Sequence, residues 1–382
     1  MTLRTGYIAV IARGMRVAIM HDYLNQWGGA EQVLLTLLEL FPKADIYTLL
    51  YDEKKTAGKF AGRVKKTSFL DFPLARNHHR VFIPLMPLGA RTLRVPDKYD
   101  LIISSTAGFA KGISYSKHTP HISYCLTPLR YAWEEKEYLQ TLLPLALRIL
   151  AKPFLAYLRR WDYWAAQKPD IILADSNFIK EKIKKYYGCD ARVVYPPVDM
   201  NIFYEDNTLK KQNSYFLAVG RLLHYKRFDL IVRAFQELYF PLLIVGNGPE
   251  ESSLKQLAAN NPHIKFLPFV NSQHELQKLY SNARALIFPQ VEDFGLVAAE
   301  AAACGTPIIA YNAGGAKEIV TESSGILFNE QTPENLALAV KQFILKEKSF
   351  DSKRIAAEAK KFSKENFLEG IRQTIKTALN NS

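Results

Sequence analysis

The chain of 382 residues is poor in cysteine and has no long apolar run. Its three cysteines, Cys125, Cys189 and Cys304, are far apart and lack the C-x-x-C spacing of metal sites. This pattern fits a reducing compartment, so a cytoplasmic protein is expected. No stretch approaches the ~20 uncharged apolar residues of a membrane-spanning helix.

Two ligand-binding signals are also missing. No Asp-x-Asp triplet occurs, and no group of His, Cys and carboxylate residues has the spacing of metal ligands. Neither a metal nor a cofactor is therefore expected. The stretch "VGNG" lacks the third glycine of the G-x-G-x-x-G turn, which argues against a nicotinamide-dependent oxidoreductase.

Basic residues are in excess. Lys and Arg number 50 and Asp and Glu number 37, so the formal net charge is +13. Nucleic acid, phosphorylated small molecules and an anionic membrane surface are all partners that suit this charge. The basic residues are spread along the chain without a face of interleaved aromatics, which disfavours nucleic acid.

Apolar runs alternate with helix-period segments from Met15 onward. Met15 directly precedes the strand-like "RVAIM", so residues 1–14 are interpreted as an upstream extension. The first half of the chain and the second both repeat strand, helix, strand, which predicts α/β domains with parallel sheets. Pro196 and Pro197 interrupt this rhythm and indicate a linker.

The predicted architecture is two Rossmann-like domains whose parallel sheets face each other across a ligand-binding cleft. The N-terminal domain covers residues 1–199 and the C-terminal domain covers 200–365. Residues 366–382 are expected to form a final helix that returns to the first domain.

The turns after the strands hold candidate anion-binding residues. Gly28 and Gly29 open a predicted helix, where backbone N–H groups can approach an anion. Arg221 and Lys226 follow the strand "YFLAVG" and suit a phosphate. Each set has an ordinary alternative, a tight turn for the glycines and solvated loop charges for the cations.

A second group of candidates follows two later strands of the C-terminal half. Gly246 and Gly248 would permit close approach of a base or phosphate, or simply form a turn. In "FPQVEDFGLVAAEAAACG" the loop holds Glu292 and the helix holds Glu300. These carboxylates would contact different parts of one extended ligand, although Glu300 could also be an ion-paired structural residue.

Taken in order, these motifs resemble the retaining glycosyltransferases of family four, which have the GT-B fold. The resemblance rests on "GGAE", "YPPVD", "VGRLLHYKRFD", "VGNGPE" and "FPQVEDFGLVAAEAAACGTPIIAYNAGG", and it extends from about Met15 to the C-terminus. "YCLTPLRYAWEE" and "EDFG" look like bacterial O-antigen and exopolysaccharide mannosyltransferases.

The resemblance implies a metal-independent hexosyltransferase in surface glycan (lipopolysaccharide) biosynthesis, with GDP-mannose as the expected donor and a lipid-linked or glycan acceptor. Glu300 would bind the ribose, and the diphosphate would be neutralised by Arg221 and Lys226, with Gly28 and Gly29 facing it. Gly246 and Gly248 would flank the base. The hexose would be held by Glu292 and by the backbone of Asp293, Phe294, Gly295 and Leu296.

One position departs from the family pattern. Leu126 stands where the family usually has a histidine that helps to place the hexose, and leucine cannot form a hydrogen bond. His21, His118 and His121 are candidate substitutes. A weakly active donor-binding relative and a nucleotide-sugar epimerase therefore remain as alternatives.

Residues 138–164 combine leucines and tryptophans with arginines and are interrupted by Pro144 and Pro153. Such a composition is typical of elements at a membrane interface, and it also fits two helices of the first domain. The segment is interpreted as a candidate for peripheral docking on the inner face of the plasma membrane.

Overall fold

The structure is a computed structural model that describes residues 14–134, 145–206, 215–259 and 261–380, with side chains between 145 and 151 left aside. The chain forms two compact units. Residues 1–195 and 367–382 make up the N-terminal unit, and residues 196–366 make up the C-terminal unit.

The N-terminal unit contains a seven-stranded parallel sheet in the order β3-β2-β1-β4-β5-β6-β7. The central strands are buried along nearly their whole length, as expected for a parallel sheet covered on both faces. The strands are Val17–Leu24 (β1), Asp45–Tyr51 (β2), Val64–Thr67 (β3), Leu101–Thr106 (β4), His121–Cys125 (β5), Ile171–Ala174 (β6) and Arg192–Val193 (β7).

Helices cover both faces of this sheet. On one face Gly29–Leu40 packs through Val33, Leu34 and Leu37 against β1 and β4. The α-helices of the unit before its last strand are Gly29–Leu40 (α1), Pro73–Asn77 (α2), Met86–Thr92 (α3), Arg130–Trp133 (α4), Leu145–Ala166 (α5) and Asn177–Tyr187 (α6), with 3-10 turns at His79–Leu85 and Ala110–Gly112.

Helix α5 corrects one expectation, because Pro153 lies inside it and does not end it. Proline removes one backbone hydrogen bond, but tertiary packing can outweigh that loss. Here Leu155 and Leu158 are buried against the unit and Asp162 is fully buried. Residues 138–144 of the predicted interfacial segment lie outside the described residues.

The C-terminal unit has a six-stranded parallel sheet in the order β10-β9-β8-β11-β12-β13. The strand order reverses between β8 and β11, which creates a crevice at the carboxyl ends of these two neighbours. The strands are Tyr215–Val219 (β8), Leu242–Val245 (β9), Ile264–Leu267 (β10), Ala283–Phe288 (β11), Ile308–Tyr311 (β12) and Gly325–Phe328 (β13).

The remaining helices follow these strands in alternation. They are Phe228–Leu238 (α7), Glu251–Ala258 (α8), Gln273–Asn282 (α9), Leu296–Ala303 (α10), Ala316–Ile319 (α11), Pro333–Lys346 (α12), Ser352–Ala359 (α13) and Lys364–Asn380 (α14), with 3-10 turns at His224–Lys226, Glu347–Ser349 and Lys360–Phe362. The prediction of an α/β protein with two Rossmann-like domains is confirmed.

Helix α14 packs on the sheet of the N-terminal unit. The ring of Phe367 meets Tyr124 edge-on, with 5.5 Å between centroids, and Ile371 and Ile375 enter the same apolar cluster. The guanidinium of Arg192 also donates to Gln373 Oε1 at 2.7 Å.

Candidate functional site

The crevice at the strand reversal of the C-terminal unit gathers most of the predicted donor-binding residues. Gly220 and Arg221 follow β8, Gly246 follows β9, and the loop with Glu292 follows β11. Because these three strands are neighbours in a parallel sheet, their carboxyl ends lie at one edge. The fold therefore brings together residues that are up to 72 positions apart.

Gly246 and Gly248 allow two of these turns to pack directly on each other. A Cβ atom on Gly246 would lie 1.9 Å from the carbonyl oxygen of Gly220, and one on Gly248 would lie 2.3 Å from that of Leu222. Gly246 also has a φ of 142°, which side chains rarely adopt. Close packing of the two turns therefore explains why glycine occupies both positions, and the backbone of both glycines lies at the edge of the crevice.

Lys226 and Glu292 form an ion pair at the same edge, through Nζ and Oε1. The amide of Gln290 donates to the same carboxylate oxygen at 3.1 Å. Both charged side chains are mostly buried, with 11% and 19% exposure. Two predicted residues with separate roles, one for the diphosphate and one for the hexose, are therefore direct partners in the structure.

Arg221 lies on the exposed side of the β8 turn. Burial therefore differs between the two predicted phosphate-binding cations: the Lys226 side chain is 11% exposed and paired with Glu292, while Arg221 is exposed.

The loop between β11 and α10 is fixed by glycines from the turn after β12. Gly315 N donates to the carbonyl of Glu292 at 2.9 Å. A Cβ atom on Gly314 would come within 2.3 Å of that same carbonyl oxygen. Neither glycine was predicted as a site residue, although the adjacent glycines in "NAGG" are a visible signal of a close backbone approach.

Gly295 makes the turn from this loop into α10. Its φ of 102° is left-handed, and it serves as the N-cap residue without a side chain. Phe294 is buried and meets Phe362 edge-on at 5.3 Å between centroids, whereas Asp293 and Leu296 are half-buried on either side. The first turn of α10 thus has backbone N–H groups without a side-chain cap, as an anion or hydroxyl ligand requires.

Glu300 lies in the second turn of α10 and is 6% exposed. The hydroxyl of Tyr280, from α9, donates to Glu300 Oε2 at 3.1 Å. Burial raises the pKa of Glu300 to about 8, and the Tyr280 hydrogen bond acts in the opposite direction. Tyr280 was not predicted from the sequence, since nothing in its local pattern marks it as a carboxylate partner.

A second hydrogen-bond network that was not predicted supports the start of the loop between β11 and α10. Arg227, which has a left-handed φ of 56°, donates to Gln331 Oε1 at 3.1 Å. Gln331 Nε2 in turn donates to the carbonyl of Pro289 at 2.7 Å. Strain at a non-glycine residue persists only where surrounding contacts enforce it, and this chain of bonds supplies them.

Gly28 and Gly29 lie at the start of α1 in the N-terminal unit. Gly28 is the N-cap residue, has an extended backbone and provides no side-chain cap. Glu31 is buried in the same first turn, and its Oε1 lies 4.0 Å from His21 Nε2. His21 Nδ1 and Glu31 Oε2 have no hydrogen-bond partner within the described part of the chain.

Asp22 fixes the loop that follows β4. Its Oδ1 accepts hydrogen bonds from the backbone N–H groups of Phe109 and Ala110, at 2.8 and 2.6 Å, and its Oδ2 accepts one from Ala107 N at 2.6 Å. The hydroxyl of Thr106 adds a fourth bond, at 3.1 Å. This carboxylate therefore has a structural role that the sequence analysis did not identify.

Leu126 follows β5 and packs against the apolar cluster around α1. Two of the expected substitutes are wrong, because His118 and His121 lie at the opposite, amino end of β5. His121 is fully used by Tyr115 and Ser104, each at 2.8 Å, and burial lowers its pKa to about 3, so it is neutral. His21 is the remaining candidate, since β1 places it next to Ser105 at the carboxyl half of the sheet.

Within the described ranges, no helix is both long enough and apolar enough to cross a bilayer. Within the same ranges, no three His, Cys, Asp or Glu side chains gather as ligands of one metal ion would.

Both halves of the chain match known glycosyltransferase domains. Residues 27–202 match the family model described as Glycosyltransferase Family 4, and residues 199–362 match that described as Glycosyl transferases group 1. The two matches together extend over both units.

Curated relatives are distant. An uncharacterised glycosyltransferase of Methanocaldococcus jannaschii is 28% identical over 203 residues, which is 47% of this chain and 52% of the relative. The O-antigen chain mannosyltransferase RfbU of Salmonella typhimurium is 29% identical over 163 residues, 40% of this chain and 45% of the relative. The chain spans about half the length of the curated relatives it matches.

Solved structures share the whole fold. HepE of Anabaena in complex with UDP superposes with a TM-score of 0.73 at 18% identity, covering 95% of this chain and 100% of that one. Sucrose-phosphate synthase of Thermosynechococcus elongatus superposes with a TM-score of 0.70 at 17% identity, covering 96% of this chain and 100% of that one. These likenesses confirm the predicted GT-B fold class.

Proposed function

We propose that the protein is a glycosyltransferase that moves a hexose from a nucleotide sugar, with retention of configuration, onto a lipid-linked or glycan acceptor. The observation that carries this proposal is the match of both halves to glycosyltransferase models. The crevice of the C-terminal unit supports it, because glycine turns, a cation and two carboxylates meet at one sheet edge.

GDP-mannose is the proposed donor, and UDP-glucose is the first competitor. The mannosyl preference draws support from the likeness to RfbU, described as an O-antigen chain mannosyltransferase. The competitor is chosen because HepE of Anabaena has been solved with UDP-glucose. Surface glycan assembly in the cytoplasm, on the inner membrane face, is the corresponding biological setting.

The proposed donor roles use the observed geometry of the C-terminal unit. Glu300 accepts hydrogen bonds from the ribose hydroxyls, with Tyr280 holding its carboxylate. Arg221 and Lys226 neutralise the diphosphate. Glu292 and the backbone from Asp293 to Leu296 hold the hexose.

The Lys226–Glu292 ion pair gives donor binding a specific consequence. Lys226 exchanges its carboxylate partner for the diphosphate, which frees Glu292 to accept hydrogen bonds from hexose hydroxyls. Glu292→Gln removes the competing charge. It should leave binding of the nucleoside diphosphate intact or tighter, while it weakens turnover of the full nucleotide sugar.

The reaction needs no carboxylate base in this scheme. The acceptor hydroxyl attacks the face that the diphosphate leaves, and the departing phosphate oxygen takes its proton. The protein stabilises the charge that develops on the diphosphate, mainly through Lys226 and Arg221. No metal is assigned a role, because the proposed charge stabilisation uses side chains of the chain itself.

Two alternatives remain open: a GT-B epimerase acting on a nucleotide sugar, and a weakly active donor-binding relative in which Leu126 impairs hexose placement. A thermal-shift panel in EDTA tests the proposal, with GDP-mannose, UDP-glucose, UDP-galactose and UDP-N-acetylglucosamine. One donor should raise the melting midpoint, since it binds the folded state only. If none does, the donor assignment fails. UDP-N-acetylglucosamine converted without acceptor would favour the epimerase.

A further inference from the structure

One face of the N-terminal unit exposes an unusual number of large apolar side chains. Eight of the seventeen such side chains exposed among the described residues lie in two segments, 69–94 and α5. They include Val81 at 72% and Trp164 at 61% exposure. The eight are Phe69, Leu74, Val81, Leu85, Leu88, Tyr157, Tyr163 and Trp164. Exposed apolar residues grouped in this way indicate a surface with a partner.

The two segments belong to one layer. Met86 and Ala90 from α3, and Leu158 from α5, are buried in the same cluster, which covers the sheet face formed by Ala18 and Met20. Both helices also contact the 3-10 turn Ala110–Gly112. Their outward sides are therefore parts of one surface, which we call the basic apolar face and define as the exposed residues of 69–94 and 152–168.

Exposed charge on the basic apolar face is positive. Segment 69–94 contains four arginines, of which Arg80, Arg91 and Arg94 are exposed, and one acid, Asp71, whose side chain is 8% exposed and paired with Arg76. Arg94 pairs with Asp97, just beyond the segment, at 3.8 Å. The described part of α5 has a single acid, Asp162, which is fully buried and paired with Lys111 at 2.6 Å.

Positive charge is also found where the segment 69–94 and the end of α5 come close together. Lys168, just after α5, donates to the carbonyl of Gly112 at 3.0 Å. Its pKa is lowered by burial and then by the nearby charge of Arg91. On α5 itself, the guanidinium of Arg160 lies 5.2 Å from the ring centre of Trp164. Cations therefore flank the exposed apolar side chains on the basic apolar face.

We propose that the basic apolar face docks this protein on a bilayer that contains anionic phospholipid. Aliphatic side chains enter the boundary between headgroups and acyl chains, Trp and Tyr favour the headgroup level, and Arg contacts lipid phosphates. A second copy of the chain is a poorer occupant, because it would bring like charges together. Nucleic acid is also a poorer fit, because Leu74, Val81 and Leu88 cannot stack on bases as aromatic rings do.

The proposed interface extends beyond the one that the sequence indicated. The sequence pattern located it in residues 138–164, which contain Tyr157, Tyr163 and Trp164, and the other five of the eight exposed side chains counted among the described residues lie in 69–94. The purpose of docking, access to a lipid-linked acceptor, rests on the proposed function. Lipid binding itself is measured without any donor or acceptor. Failure of one proposal therefore leaves the other open to its own test.

Flotation of the full chain with vesicles tests the docking. The vesicles are phosphatidylcholine alone, or phosphatidylcholine with phosphatidylglycerol at about one third. The chain should float with the anionic vesicles, bind the neutral ones at least about tenfold more weakly, and be released by high salt. Equal binding to both vesicles, or binding to neither, would overturn the proposal.

Two double variants and a control locate the surface. Val81→Glu with Leu88→Glu, and Arg80→Glu with Arg91→Glu, should each reduce the partition onto anionic vesicles by about tenfold or more. Leu345→Glu is the matched control, because Leu345 is 86% exposed in the C-terminal unit and should bind like the parent. Unchanged melting midpoints check that the variants fold.

Two results with these variants contradict the docking. Undiminished vesicle binding by both double variants would move the interface elsewhere on the chain. A dimer in the vesicle-free protein that the double variants dissolve would instead identify a second copy of the chain as the occupant.

Discussion

The buried carboxylate of Glu300 should make donor binding depend on pH. Its pKa is raised to about 8, so at pH 6.5 only a few per cent of the ligand-free protein carries the ionised form. Ribose hydroxyls donate to the ionised form, so donor binding must first remove a proton. The association constant should therefore rise roughly 20-fold between pH 6.5 and pH 8.5.

Calorimetric titration across that range measures the effect, using the donor that gives the thermal shift. A nucleotide sugar has no phosphate that titrates in this window, so the slope reports on the protein. The Glu300→Gln variant should bind the donor more weakly at pH 8.5, and its association constant should no longer change with pH. The parent protein should likewise show no pH dependence with a donor that contains 2′-deoxyribose. An unchanged slope in Glu300→Gln, or a flat profile in the parent, would refute the ribose role of Glu300.

The same carboxylate has a predictable effect on stability. Its folded pKa lies above the ordinary value of 4.5, so the folded state binds the proton more tightly than the unfolded state. The associated stability is present below pH 4.5 and is lost as the pH rises through about 8. The full loss is on the order of 5 kcal/mol, and Glu300→Gln should remove this decline in denaturant unfolding measured without ligand.

Three further variants probe the fold around the sites. Gly246→Ala should destabilise the protein by several kcal/mol in denaturant unfolding, since its Cβ would overlap the carbonyl oxygen of Gly220; a cost below about 1 kcal/mol would contradict the observed packing. Lys111→Met leaves the buried Asp162 without its cation and should cost about 3–5 kcal/mol, with near-neutral unfolding as the opposing result. The pKa of His121 is about 3 in the folded protein and 6.5 in the unfolded chain, so the stability that neutral His121 contributes is lost as the pH falls from 6.5 towards 3. His121→Asn should therefore reduce the loss of folding free energy over this pH range. An unchanged loss would show that another group is responsible.

The architecture was predictable because parallel strands buried on both faces leave a strong pattern in the sequence. The runs "LIISST" and "ALIFP" read as buried strands, and each is one. The strand–turn–helix rhythm also predicted which residues follow a strand, so Arg221, Gly246 and Glu292 could be expected at one sheet edge.

Contacts between distant residues could not be predicted in this way. Tyr280 reaches Glu300 from another helix, and Lys226 reaches Glu292 across 66 positions. Neither pair leaves a local signal, because both depend on how the elements pack. Pro153 misled the analysis for the same reason, since burial of Leu155 and Leu158 outweighs a local helix-breaking preference.

The most direct test of the central claim follows the fate of the bound donor. The protein is incubated in EDTA with the donor identified by thermal shift, and release of the nucleoside diphosphate and the anomeric form of the freed sugar are recorded by proton NMR. For a retaining glycosyltransferase we expect slow release of the diphosphate, and the first-formed sugar should keep the anomeric configuration that it had in the donor. A first-formed sugar of inverted configuration, or recovery of an epimerised nucleotide sugar, would contradict retaining glycosyl transfer.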